Sequence, residues 1–235
     1  MESDFKFYHG TSTIFLQSIR RYGLGKINPS IDYKNLEVLE FLYEKAEENL
    51  LHVAEYEVIR KPVTATVYQT NLQLLHEDGR VENLNYRHDG IYVALSRERA
   101  ALHACLNKLG SEVLEFIVTL LKLLRSNNIN VSLPESINLF KVENYIHMNP
   151  KPIIVEVLKI SEDDLEKEDG KTAVEALDFL RRTMPKLSKK QQFEFLQYCN
   201  FKLLKPVEPE NLKFYEVESE GHPKKNNFFF TLSQI

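Results

Sequence analysis

Apolar and polar positions change period several times along this chain. Phe5, Phe7 and Tyr8, broken only by Lys6, predict a short strand over 5–8. Thr11 to Thr13 offer hydroxyls to cap a following helix. In that helix Phe15, Leu16 and Ile19 share a face, and Arg20 and Arg21 lie near its end. Gly23 stops it, with Leu24 folding back as the hydrophobic contact. Leu36, Leu39, Leu42, Tyr43, Ala46 and Leu50 recur near a period of 3.6 and predict helix over 36–58. KPVTATVYQT, 61–70, is rich in β-branched residues and reads as a strand. HEDGRVENLNYRHDG reads as an exposed loop leading into the strand GIYVAL at 90–95. Helices are predicted from Arg97 to Leu109 and from Ser111 to Arg125, followed by the polar loop SNNIN and an irregular stretch over 134–150. PIIVEVLKI, 152–160, has the composition of a buried strand. SEDDLEKEDG is an acidic turn or short helix. Two more helices are predicted, from Thr172 to Thr183 and from Ser188 to Tyr198. NFKLLKPV and LKFYEVES are strands around the turn EPEN. The tail HPKKNNFFFTLSQI either adds a strand or docks its three phenylalanines on the core.

Strands separated by helices, then two strands close together, indicate an α+β fold with a mostly antiparallel or split sheet. The chain of 235 residues reads as a single domain over 1–235, with insertions at 26–60, 126–150 and 161–198. The net charge of -4 gives no case for non-specific nucleic-acid binding, although it leaves room for a local basic groove. Cys105 and Cys199 have neither metal-ligand nor disulfide-framework spacing, and no metal is expected. The acidic start MESDFKFYHG runs straight into a strand, which is not the pattern of a secretion signal, and no apolar run reaches 18 residues. The expected setting is the cytoplasm, or export into a host cell without a cleaved signal, and no membrane partner is expected.

Two segments carry candidate chemistry: FYHGTSTIFLQSIRRYGL, from Phe7 to Leu24, and GIYVALSRERAALHA, from Gly90 to Ala104. Each runs from a strand through a loop into a helix. Each puts a residue capable of directed polar contacts, His9 or Tyr92, at or near a strand end. Two such ends that meet in space form a cleft.

On these residues the chain resembles the ADP-ribosyltransferase fold, in the branch that includes diphtheria toxin and the poly-ADP-ribose polymerases. The first motif of that branch, an apolar strand, His-Gly-Thr/Ser and a helix closed by Gly-Leu, is similar to Tyr8, His9, Gly10, Thr11 and Ser12, with Gly23 and Leu24. The second resembles Gly90, Ile91, Tyr92, Val93 and Ala94, with His103 where the family has an aromatic residue eleven places after the tyrosine. PIIVEVLKI looks like a central strand, and LLKPVEPENLKFYEV looks like the last hairpin. The family glutamate, near the start of that hairpin, falls on Phe201, or on Asn200 if the register slips by one; neither is a carboxylate. Glu194, a turn or two upstream, is the candidate to replace the charge, against the plainer reading of a solvated helical glutamate.

The resemblance implies an ADP-ribosyltransferase-like split antiparallel or mixed sheet with NAD as co-substrate. It implies transfer of a single ADP-ribose unit to a macromolecular acceptor, protein in preference to nucleic acid, because members lacking the glutamate do not build polymer. It fits a toxin or effector. His9, Tyr92 and Glu194 are the implied catalytic set. Gly10, Thr11, Ser12, Gly90, Ala94 and His103 are the implied NAD-binding set. In that scheme Gly10 backbone groups hold the carboxamide, Tyr92 and His103 flank nicotinamide, and His9 donates to a ribose 2′-hydroxyl. Thr11 and Ser12 contact the adenosine ribose, and one of Arg87, His88, Arg97 or Arg99 meets phosphate. NAD hydrolysis, and a binding module without turnover, are the alternatives. The tRNA 2′-phosphotransferases share the fold but need a phosphate-binding basic set that this chain lacks.

Overall fold

The computed structural model describes residues 2–75, 81–167, 172–221 and 228–235. The predicted loop positions 76–80, the end of the acidic segment at 168–170 and the start of the tail at 222–227 lie outside the described residues. In chain order the elements are β1 (Phe7–Ser12), α1 (Thr13–Tyr22), α2 (Pro29–Asp32), α3 (Asn35–Asn49), α4 (Ala54–Val67), β2 (Asn71–Leu75) and β3 (Val81–Asn85). They continue as β4 (Tyr92–Ala94), α5 (Arg97–Leu106), α6 (Glu112–Ser126), β5 (Pro152–Val157), β6 (Leu165–Lys167), α7 (Ala173–Thr183), α8 (Lys189–Leu196), β7 (Asn200–Leu203), β8 (Leu212–Glu220) and β9 (Phe229–Gln234). The fold is α+β. Its main sheet has seven strands in the order β6-β7-β4-β1-β5-β8-β9, every neighbouring pair antiparallel. Among the described residues, no helix is long and apolar enough to cross a membrane.

The chain forms two compact units. The first comprises Met1–Ile27, Gly90–Ser111 and Asn149–Ile235, and it contains the whole seven-stranded sheet. β1 runs four residues beyond the predicted 5–8, because β5 pairs with it residue by residue from Phe7↔Val157 to Ser12↔Pro152. That ladder draws Gly10, Thr11 and Ser12, turn formers by type, into a central strand. Ser12 still caps α1, its Oγ accepting from the Ile14 N–H at 3.4 Å.

α5 lies against β1 and β5 through Ala100 and Ala101, which join Tyr8, Ile154 and Val217 in a buried cluster. The tail does both things its sequence offered. β9 pairs along β8, while Phe228, Phe230 and Leu232 pack on that cluster and Phe229 faces out. β7 and β8, expected to form a hairpin, are not neighbours. Between them stand β4, β1 and β5, and the intervening link pairs instead with Leu24, whose N–H donates to the Val207 carbonyl at 2.9 Å and whose carbonyl accepts in return at 2.8 Å.

The second unit comprises Asn28–Asp89 and Glu112–Met148. α3 buries Val38, Leu39, Leu42 and Ala46, and α6 buries seven residues from Val113 to Leu124, the 3.6 period of each making one apolar face. The predicted 36–58 helix breaks over 50–53, and α4 resumes at Ala54. The strand predicted at 61–70 is a correction: residues to Val67 are the end of α4. Tyr56, Val63 and Thr66 recur at helical spacing and are buried, and burial outweighs the β propensity of the run. Pro62 removes one helix donor, while the Thr64 hydroxyl donates to the Arg60 carbonyl at 2.8 Å. Glu47 of α3 accepts from the Tyr56 hydroxyl at 2.5 Å and from Arg60 Nε and Nη2 at 2.8 and 2.7 Å, tying α3 to α4. Part of the predicted 76–90 loop is strand β3, paired with β2.

Candidate functional site

The three motif positions fall on three consecutive strands, β1, β4 and β7. β1 and β4 are joined by one residue pair, Tyr8↔Ala94. Continuing that register would set Gly10 opposite Tyr92. The ladder stops instead, and histidine rings take both carbonyls. His9 Nδ1 lies 2.8 Å from the Tyr92 carbonyl oxygen. His103 Nδ1, reaching down from α5, lies 3.3 Å from the Gly10 carbonyl oxygen. A carbonyl only accepts, so each Nδ1 carries the proton it donates.

Burial pushes the His9 imidazole down to about 4, against the Tyr92 carbonyl, which favours the protonated ring, and with His103 adding to the downward push. His9 is therefore neutral at pH 7, and with Nδ1–H committed its Nε2 presents a lone pair. A donor role for His9 toward a ribose hydroxyl would need the other tautomer, because in this one Nε2 can only accept.

Gly10 has a different reason for being glycine than a ligand cradle. A Cβ there would lie 2.0 Å from the Ala100 carbonyl oxygen and 3.0 Å from the Ala104 nitrogen, so α5 itself fills that side. A Cβ on Gly90 would meet the Lys202 side chain, with Cε at 2.6 Å. Thr11 and Ser12, expected at a ribose, are buried. The Thr11 hydroxyl donates to the Gly110 carbonyl at 3.0 Å, and Ser12 is the α1 cap. Ala94 is buried between Tyr8 and Asn200 in the cross-strand row. Tyr92 is half-buried at the start of β4, opposite Lys202, and His103 is exposed.

At the place of the family glutamate, Phe201 is buried and packs edge-on against Phe7, ring centroids 5.8 Å apart. Asn200 beside it is half-buried. Glu194 is exposed on α8, with one oxygen 3.9 Å from Lys190 Nζ. Arg97 and Arg99 are exposed at the start of α5, and the Arg97 guanidinium lies over the Tyr8 ring at 5.4 Å. Arg87 and His88 belong to the second unit, where His88 Nε2 is 3.6 Å from Glu112.

One carboxylate escaped the sequence reading. Glu156 stands opposite Tyr8 in β5 and is 5% exposed. It accepts from the Tyr215 hydroxyl at 2.9 Å and pairs with Lys6 Nζ at 3.1 Å. Burial pushes its carboxyl up, but Tyr215, Lys6 and Arg97 outweigh that and hold it below the usual range. The signal was there: Glu156 is the one acidic residue inside the apolar run PIIVEVLKI.

The donor chemistry around the parting of β1 and β4 suits a ligand with hydroxyls and a planar amide. Nε2 of His9 accepts, the Tyr92 ring is partly accessible, and a carboxamide N–H reaching the Gly10 carbonyl would take the place of His103. No protein-family model, curated protein or solved structure matches this chain.

Proposed function

We propose that this chain binds NAD at the parting of β1 and β4 and transfers a single ADP-ribose unit to a macromolecular acceptor, releasing nicotinamide. The observation that carries this reading is that His9, Tyr92 and the Asn200/Phe201 position occupy three adjacent strands at the one place where β1 leaves its neighbour. In the reaction the bond between ribose C1 and the nicotinamide nitrogen breaks. The electron pair leaves with nicotinamide, which becomes neutral, and C1 acquires oxocarbenium character. The acceptor nucleophile then bonds to C1 and gives up its proton to solvent. Departure of a neutral group needs no strong acid. The work lies in holding the nicotinamide and orienting the ribose. A neutral His9 suits the second task, its Nε2 accepting from a ribose hydroxyl.

Elongation to polymer requires a carboxylate on the ribose, and the β7 position offers buried Phe201 or neutral Asn200. A second reading, NAD or ADP-ribose binding without turnover, is favoured by that same Phe201–Phe7 packing and by His103 on the Gly10 carbonyl. Calorimetry with NAD and with ADP-ribose, followed by mass spectrometry of proteins incubated with NAD, tests both. Transfer predicts heat with NAD and mass increments of one unit per site; heat with neither an increment nor released nicotinamide leaves the binding reading, and released nicotinamide without an increment indicates hydrolysis. An intact fold that gives no heat with either ligand sinks both.

A further inference from the structure

The seven-stranded sheet ends in β6 on one side and β9 on the other, and the two edges are protected very differently. β6 is three residues long, and two of them, Glu166 and Lys167, are charged. Shortness and charge are the ordinary defences of an edge strand against pairing with another chain. β9 has neither. It is six residues long and pairs with β8 without a bulge, from Phe229↔Glu220 to Gln234↔Tyr215. It holds no charge, proline or glycine.

The hydrogen bonds of β9 show which of its groups face outward. The Ile235 N–H donates to the Phe214 carbonyl at 3.1 Å, so the odd-numbered residues turn their backbone groups toward β8. Phe230, Leu232 and Gln234 turn theirs away, and among the described residues no strand pairs with them. Side chains alternate between the two faces of the sheet. Phe230 and Leu232 pack on the cluster of Tyr8, Ala100, Ala101, Ile154 and Val217, which holds the strand in place on its own sheet. Phe229, Thr231, Ser233 and Ile235 share the opposite face, where Phe229 is 68% and Ile235 42% exposed. These two exposed apolar residues lie at equal distances from Leu232, one on either side.

That spacing is self-complementary. A second β9 laid antiparallel about a two-fold axis at Leu232 sets Leu232 opposite Leu232, and Phe230 opposite Gln234 of the second copy. Every outward-turned residue of the strand then exchanges both of its backbone hydrogen bonds. On the opposite face Phe229 stands beside Ile235 of the second copy at each end, and the two apolar side chains cover one another. Moving the axis one residue, to Thr231, leaves Gln234 without a partner inside the strand and sets Phe229 against Ser233. A strand of other sequence would find backbone groups here but no charge to select it. The match of Phe229 to Ile235 selects β9 itself.

We propose that β9 is the interface of a symmetric dimer, in which two copies of this chain pair their β9 strands antiparallel about Leu232 and continue one sheet through both. This surface does not depend on the NAD reading, and a chain that ignores NAD would still pair here.

The test is sedimentation equilibrium of the full chain from about 5 to about 500 μM, the range in which an interface this small associates. The mass should rise with concentration from that of one chain to that of two. Gln234→Pro removes an N–H that faces away from β8, so it deletes a bond of the dimer and none of the ladder within the chain. Phe229→Lys sets a cation opposite Glu220, which suits the fold, and beside Ile235 of the second copy, which does not suit the dimer. Each should raise the concentration of half-association by about tenfold, while thermal unfolding at low concentration matches that of the parent. Thr231→Cys with Ser233→Cys should give a covalent dimer on oxidation, because these positions face each other across the axis at disulfide distance. The parent, with Cys105 and Cys199 alone, should not. The proposal is overturned by a single-chain mass throughout the range, by a mass that climbs past two chains, or by variants that associate like the parent. A covalent dimer from Thr231→Cys alone overturns the register by centring the pairing on Thr231.

Discussion

Gly10→Ala separates two explanations of the same residue. Gly10 has no left-handed backbone angle, so alanine is conformationally allowed there. If backbone freedom were all that mattered, alanine in mid-strand would stabilise the protein by about 0.5–1 kcal/mol. The packing argument gives the opposite sign. The new Cβ would sit 2.0 Å from the Ala100 carbonyl oxygen, whereas a carbon–oxygen contact relaxes at about 3.3–3.6 Å. α5 would have to back away by more than 1 Å, taking Ala100 and Ala101 off Tyr8 and Ile154. Overpacking against side chains costs about 1–3 kcal/mol, and the obstacle here is helix backbone that cannot rotate aside, so a loss at or above about 3 kcal/mol is expected. Gly90→Ala is the control. Its obstacle is the flexible Lys202 side chain, and its effect should stay within about 1 kcal/mol. Urea unfolding followed by circular dichroism reads both variants. A Gly10→Ala protein as stable as the parent would refute the claim that α5 packing, rather than ligand access, requires this glycine.

Two further outcomes follow from charged groups. His9 titrates near 4 in the folded chain and near 6.5 unfolded, so the unfolded state binds more protons between those values; stability should be full above pH 6.5 and fall toward pH 4 by about 3 kcal/mol, a slope that His9→Asn should remove in pH-dependent urea titrations. Arg181→Met should cost about 3–5 kcal/mol in the same assay, because Glu162, 1% exposed, loses the guanidinium it pairs with; Arg181→Met combined with Glu162→Leu should recover most of that loss, and no recovery would mean that Arg181 acts through other contacts.

What the sequence made legible was local. The Ile and Val run at 153–155 declared β5, and the extents predicted for α5, α6, α7 and α8 lie within a few residues of those observed. The misreadings arose where distant chain decides. VTATV looks like a strand until α3 and α6 offer it a helical burial site. Leu203 and Leu212 look like the two sides of a turn until Val207 is seen paired with Leu24. His9 and Tyr92 were legible as chemistry because their motifs are contiguous. The reason for Gly10 was not, because its obstacle lies ninety residues away in α5, and neither was the row that sets Glu156 opposite Tyr8.

The link between β7 and β8 has a mechanical consequence for the parting of β1 and β4. The sheet divides there into a three-strand part, β6-β7-β4, and a four-strand part, β1-β5-β8-β9, with one residue pair between them. Residues 204–211 run from the first part to the second. Across a flat sheet, β7 and β8 would be four strand spacings apart, about 19 Å. Eight residues fully drawn out reach about 26–29 Å, and here three of them, Pro209–Asn211, are coiled into a turn of 3-10 helix. Little slack is left, and the middle of the link is pinned at Leu24 by two hydrogen bonds. The link therefore acts as a tether of nearly fixed length across the crease. It limits how far β7 and β8 can be drawn apart, and so restrains spreading of the two parts of the sheet independently of the contacts made at the Tyr8–Ala94 pair.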